Sequence, residues 1–134
     1  MTHYVLDTNI VSFVGRGDLA IESRLWGVSI PGNTLLRCPV VWFEARRGLL
    51  YRDAKMQMRK LNDLFDTFEW QDYTREDWSL AADWWALRRA AGQPIADADL
   101  LIAVFAHNRD AALVTDNEKD FADLGVNVEN WRQP

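Results

Sequence analysis

With 134 residues, 49 % of them apolar, four prolines and seven glycines, the chain has the length and composition of one globular domain over 1–134, and no apolar run approaches the roughly 20 residues that cross a membrane. Its one cysteine, Cys38, rules out an internal disulfide and leaves zinc or iron–sulfur chemistry without a thiol pair. A net charge of −5 gives no general basic footprint for nucleic acid, although acids gathered round divalent cations would be neutralised locally.

His3–Leu6 reads as a short strand that ends in Asp7. A charged, structured strand this early leaves no room for a signal peptide, so a cytoplasmic protein is expected. A helix starts near Thr8 or Asn9 and stops at Gly15-Arg16-Gly17. Asp18 is placed to cap a second helix, Leu19–Trp26. The Gly, Pro and Asn content of 27–39 leaves Leu35–Cys38 as the strand candidate there. Val40–Tyr51 reads as a helix carrying Glu44, and Asp53–Phe68 as another, with Met56, Leu61, Leu64, Phe65 and Phe68 near helical spacing. Phe68–Gln71 is a further candidate strand. Thr74 and Asp77 make a capping-box-like opening for a helix over Arg75–Ala91, ended by Gly92. Ala98–Asn108 is nearly all apolar after its first acid, which predicts a buried helix; Ala112–Thr115 follows as a buried strand and Val126–Glu129 as an edge strand. Strands separated by helices of this length form βαβ units, so the pattern predicts an α/β fold with a parallel sheet and right-handed crossovers.

The acids fall at the ends of apolar segments. Asp7 follows Val5-Leu6, Glu44 follows Val40 to Phe43, Asp99 precedes Leu100 to Phe105, and Asp116 follows Leu113-Val114. An ionised carboxylate near a core must be paired, capped or metal-bound, and no lysine or arginine stands beside Asp7, Asp99 or Asp116 in sequence. Mg²⁺ or Mn²⁺ is the economical partner, because hard cations take oxygen ligands and often use one or two carboxylates plus waters. Acids at the carboxyl ends of strands point into the crevice where open α/β sheets bind ligands. Each acid also has a plainer reading: Asp7 as a helix cap, Glu44 as an exposed helical acid, Asp97 as an N-cap with Asp99 in the first turn, Asp116-Asn117 as a turn. Their joint occurrence favours the cation site.

At Val5-Leu6-Asp7-Thr8-Asn9, Glu44-Ala45-Arg46-Arg47-Gly48, Asp99-Leu100-Leu101-Ile102-Ala103 and Leu113-Val114-Thr115-Asp116-Asn117-Glu118-Lys119-Asp120-Phe121 the chain resembles the PIN-domain ribonucleases, and among them the VapC-type toxins of toxin–antitoxin pairs. The resemblance implies a three-layer α/β/α sandwich and a Mg²⁺ or Mn²⁺ site. It also implies endonucleolytic cleavage of RNA by metal-activated water, a homodimer, and a cognate antitoxin whose segment enters the acidic groove. By motif, Asp7, Glu44 and Asp99 match the first three family acids, with Asp7 and Asp99 as direct metal ligands. Asp116 and Asp120 both stand in the closing motif as the fourth. Asp99 is preferred to Asp97 because it heads the Leu-Ile-Ala run. Thr8, Asn9, Thr115 and Asn117 are placed to orient carboxylates or hold metal waters.

Arginine outnumbers lysine twelve to three, and Arg46-Arg47 and Arg88-Arg89 are the candidate phosphate contacts, unless they are solvated helix faces. On the Arg75–Ala91 helix, Trp78, Ala81, Ala82 and Trp85 follow helical spacing and are expected to face the core, with Trp84 at another angle. Core packing, base stacking on single-stranded RNA and a dimer interface are the available roles for this tryptophan content. Trp42, Phe43 and the apolar residues of 53–68 are expected to form the antitoxin groove. His3 and His107 are not placed for general-base work. Two other classes fit part of the pattern: a Mg²⁺-dependent phospho-aspartyl domain of phosphatase or receiver type, and a non-catalytic RNA-binding PIN-like scaffold. The first lacks a second Asp after Asp7 and a lysine after the late strand; the second is hard to square with a full set of acids.

Overall fold

The computed structural model describes residues 1–132. Its elements are β1 (His3–Leu6), α1 (Thr8–Gly15), α2 (Leu19–Val28), β2 (Thr34–Arg37), α3 (Pro39–Tyr51), α4 (Lys55–Asp66), β3 (Glu69–Trp70), α5 (Arg75–Ala90), α6 (Asp97–Asn108), β4 (Ala111–Val114), α7 (Glu118–Phe121) and β5 (Asn127–Glu129). Caps set several of the helix starts. Asp18 accepts from the backbone N–H groups of Ala20 and Ile21 at the start of α2, and Pro39 occupies the first turn of α3, where its missing N–H costs nothing. Thr74 and Asp77 form a complete reciprocal capping box on α5. Gly92, at φ 71°, follows the end of that helix in a left-handed conformation that only glycine adopts without strain.

The five strands make one all-parallel sheet in the order β3-β2-β1-β4-β5, flanked by helices, as the alternating pattern predicts. β1 lies at the centre, with Val5 opposite Leu36 of β2 on one side and Leu113 of β4 on the other. The chain winds outward from β1 to β2 to β3, then returns to the far side of β1 for β4 and β5. The direction of winding therefore reverses between β1 and β4, and at such a reversal the carboxyl ends of the strands open a crevice. The core follows from the apolar runs: Ile102 through Ala106 of α6 and Leu113 and Val114 of β4 are fully buried, with Phe65, Phe105 and Phe121 among the largest buried side chains.

The tryptophan phase on α5 differs from the one that spacing predicts. Trp78 and Trp85 are exposed at 54 % and 42 %, and Ala82 is exposed, whereas Asp77 and Ala81 are buried and Trp84 packs against the core. The reason is polar. Asp77 is fully buried because Arg109, at the end of α6, grips both of its oxygens at 3.1 and 2.9 Å, Asn108 donates at 2.8 Å, and the Thr74 backbone N–H adds a fourth bond. Turning Asp77 inward rotates Trp78 and Trp85 outward and brings Trp84 against His107, ring centroids 5.1 Å apart. α2 runs two residues further than the sequence pattern predicts, and the closing motif forms a short helix, α7, where no helix was expected.

Candidate active site

Asp7 is the N-cap of α1 and also the last word of β1. Its backbone N–H donates to the Val114 carbonyl at 2.9 Å, which extends the central ladder up to the acid itself. The plain reading of Asp7 as a cap is thus correct but incomplete. Oδ1 accepts from the Thr8 N–H at 2.7 Å, while Oδ2 accepts from Thr115 Oγ1 at 2.8 Å, directly across the point where the sheet winding reverses. Asp7 is 5 % exposed and Thr115 fully buried.

Thr8 links the first acid to the second. Its hydroxyl donates to Glu44 Oε1 at 2.7 Å, so α1 and α3 are tied at the site, and the other carboxylate oxygen of Glu44 lies 3.7 Å from Arg47. Asp99, in the first turn of α6, is partly buried, and Asp97 two residues earlier is exposed. Burial raises the Asp99 carboxyl to about 6, and the charges of Asp7, Asp120 and Glu44 push in the same direction. Burial raises Asp7 as well, against the hydrogen bonds from Thr115 and Thr8, with Glu44 and Asp116 adding repulsion.

The closing motif separates its two acids. The Asn117 amide donates to Asp120 Oδ2, and the Asn117 backbone N–H donates to Thr115 Oγ1 at 3.0 Å, so Thr115 is a relay between Asp7 and this turn. Asp116 is paired instead with Arg132, whose guanidinium is 3.5 Å away and lies over the Phe13 ring at 4.2 Å. Asn9 is exposed and makes no side-chain hydrogen bond among the described residues. Asp116 therefore has an arginine partner, 16 positions away, that its immediate sequence did not show.

Among the described residues no group of three or more His, Cys, Asp and Glu side chains is gathered closely enough to hold a metal ion. The donor set still fits a hard cation, since it is made of carboxylate and hydroxyl oxygens, and an ion that keeps several waters needs only one or two direct carboxylates.

The arginines take different positions. Arg88 donates through Nε to the Gln93 carbonyl at 2.7 Å and through Nη1 to the Asp120 and Ala122 carbonyls at 3.4 Å, so it braces the closing motif. Arg46, Arg47 and Arg89 each lie over an aromatic ring: Trp42, Phe43 and Trp85 respectively. Beside the acids, a cleft of about 210 Å³ between α1, α3 and α4 is lined by Val11, Val14, Leu49, Leu61 and Leu64, together with Thr8 and Glu44. Trp42 and Phe43 are not among its lining residues; Trp42 is turned onto Trp70. No helix among the described residues is long and apolar enough to cross a membrane.

A parallel sheet whose central strand ends in a buried acid, joined by acids from two helices and a closing turn, defines a PIN domain, and the PIN-domain family model matches residues 4–127. The chain belongs to the PIN-domain family. Solved structures of the same fold include VapBC2 from Rickettsia felis bound to a DNA fragment from its promoter, with TM-score 0.88 and 24 % identity over 97 % of this chain and 99 % of that one. VapBC-1 from nontypeable Haemophilus influenzae has TM-score 0.82 and 21 % identity over 98 % and 100 %. DNA-bound VapBC from Salmonella typhimurium has TM-score 0.78 and 22 % identity over 98 % and 99 %. No curated protein sequence matches the chain.

Proposed function

We propose that the chain is a Mg²⁺- or Mn²⁺-dependent endoribonuclease and the toxin of a toxin–antitoxin pair, working in the cytoplasm as a homodimer held in check by a cognate antitoxin. The observation that supports this reading is the environment of Asp99 at the start of α6: burial raises its carboxyl to about 6, and the charges of Asp7, Asp120 and Glu44 add to the shift. Family membership and the fold shared with VapBC structures support it.

A bound divalent cation would supply charge stabilisation at the scissile phosphate and a more acidic water. The chain's own groups position. Thr115 and the Thr8 N–H orient both oxygens of Asp7, one hydrogen bond to each, and leave lone pairs free for a cation. The Thr8 hydroxyl sets the Glu44 carboxylate, and Asn117 sets Asp120. The cleft between α1, α3 and α4, whose wall joins Val11, Leu49 and Leu61 to Glu44, Arg16, Arg52 and Lys60, suits an amphipathic antitoxin segment.

Expression of the chain is expected to arrest growth, with relief when the small gene beside it is co-expressed. Normal growth in the presence of folded, cleaving protein would contradict the toxin role. Cleavage itself is tested separately, by supplying and removing metal.

A further inference from the structure

Four side chains at the outer side of the sheet form a column of alternating charge and ring. Arg37 closes β2, Trp70 closes β3, and the two are paired in register, with the Arg37 guanidinium 4.9 Å from the centre of the Trp70 ring. Trp70 meets Trp42 of α3 edge to face, centroids 6.0 Å apart and planes at 90°, and Arg46 lies 5.5 Å over Trp42. Trp70 is 39 % exposed.

The column is electrically unfinished. Neither Arg37 nor Arg46 forms an ion pair among the described residues, although acids outnumber basic residues 20 to 15 in the chain. The Arg37 ε N–H is buried with no acceptor among the described residues. A guanidinium held over a ring rather than against a carboxylate keeps its charge for an incoming anion. Ring faces and guanidinium planes both accept unstacked bases, whatever their sequence. Neither tryptophan lines the cleft between α1, α3 and α4. β2 neighbours β1 directly, so the column stands one to two strand spacings, roughly 5–10 Å, from the strand that ends in Asp7.

We propose that Arg37, Trp70, Trp42 and Arg46 form a stacking subsite for single-stranded RNA, seating a base against the two indoles and backbone phosphate on the two guanidiniums beside the acids. This rests on the ribonuclease reading above, and binding separates the two claims. The probe is a labelled single-stranded RNA oligonucleotide, followed by fluorescence anisotropy with the full-length Asp99→Asn protein in EDTA. Trp70→Leu in that background is expected to bind roughly tenfold more weakly. Arg46→Gln is expected to lower the slope of log affinity against log salt by about 0.7. Trp26→Leu, on α2 and with no arginine over its ring among the described residues, leaves both unchanged. Thermal melts confirm that each variant is folded, and Trp42→Phe, which keeps a ring, tests the subsite should Trp70→Leu fail to fold.

Unchanged affinity and salt slope in the folded variants would overturn the subsite. So would equal binding of a duplex of the same length, or a change from dimer to monomer on Trp70→Leu in sedimentation, which would make the column an interface between copies. Wild-type protein that binds RNA through Trp70 but never cleaves it would overturn the ribonuclease reading and leave the subsite standing.

Discussion

Thr115 donates its hydroxyl to Asp7 Oδ2 at 2.8 Å across 108 positions of sequence, and this buried bond fixes the first acid of the site from the far side of the sheet reversal. Thr115→Val keeps the shape and removes the donor, leaving a buried carboxylate oxygen without its partner. The fold should lose about 1–3 kcal/mol in a denaturant titration, and activity should fall 10- to 100-fold, the usual cost of losing a group that orients a metal ligand. Thr115→Ser should retain most of both.

Asp99 gives a pH signature. Its carboxyl titrates at about 6 in the folded chain against an ordinary value of 3.8, so between these values the folded form binds more protons than the unfolded one. The metal-free protein is therefore favoured by this group below about pH 4, and it loses that advantage as pH rises through 6. Asp99→Asn removes the repelled charge. It should raise the stability of the metal-free protein at pH 7.5 by on the order of 1 kcal/mol, since water reaching the carboxyl screens part of the effect. The gain should shrink toward zero at pH 4, and thermal melts in EDTA at the two pH values check it.

Asp120 and Asp116 should separate in the same way. Asp120 contributes to the raised pKa of Asp99, whereas Asp116 is 3.5 Å from the Arg132 guanidinium. Asp120→Asn is expected to lower the Asp99 titration slightly, since burial and Asp7 still hold it up, and to reduce cleavage more than Asp116→Asn does. Carboxyl titration by NMR and initial rates on the two variants are the measurements.

The Asp77–Arg109 pair is the matching prediction for stability. Burial would raise Asp77, but hydrogen bonds from Arg109, Asn108 and Thr74 outweigh it and hold the carboxyl below its ordinary value. Its contribution is present above about pH 4 and lost as pH falls through the lowered pKa. Asp77→Ala should cost about 3–5 kcal/mol, because Arg109 would stay largely buried without its partner. Asp77→Ala with Arg109→Leu should cost less than the two single changes added together, as a double-mutant cycle by denaturant unfolding would show.

What could be read from the chain and what could not divide along this same line. Apolar runs that end in acids announced β1, α3, α6 and β4, because burial and strand ends are local properties. Asp7, Glu44 and Asp99 were legible for that reason. Charge pairing is not local. Arg109 lies 32 positions from Asp77, and Arg132 lies 16 from Asp116, so spacing on α5 suggested Trp78 and Trp85 as its inner face when a buried carboxylate takes that place. Arg88 likewise looks free on a helix in sequence, and only the folded chain brings the Asp120 and Ala122 carbonyls to it.

The most direct test of the account is cleavage of single-stranded RNA by the purified chain with Mg²⁺ or Mn²⁺, repeated in EDTA, after metal is restored, and with Asp99→Asn. Cleavage is expected with metal, abolished by EDTA, recovered when metal is restored, and lacking in the variant. Cleavage that persists both in EDTA and in Asp99→Asn would contradict it.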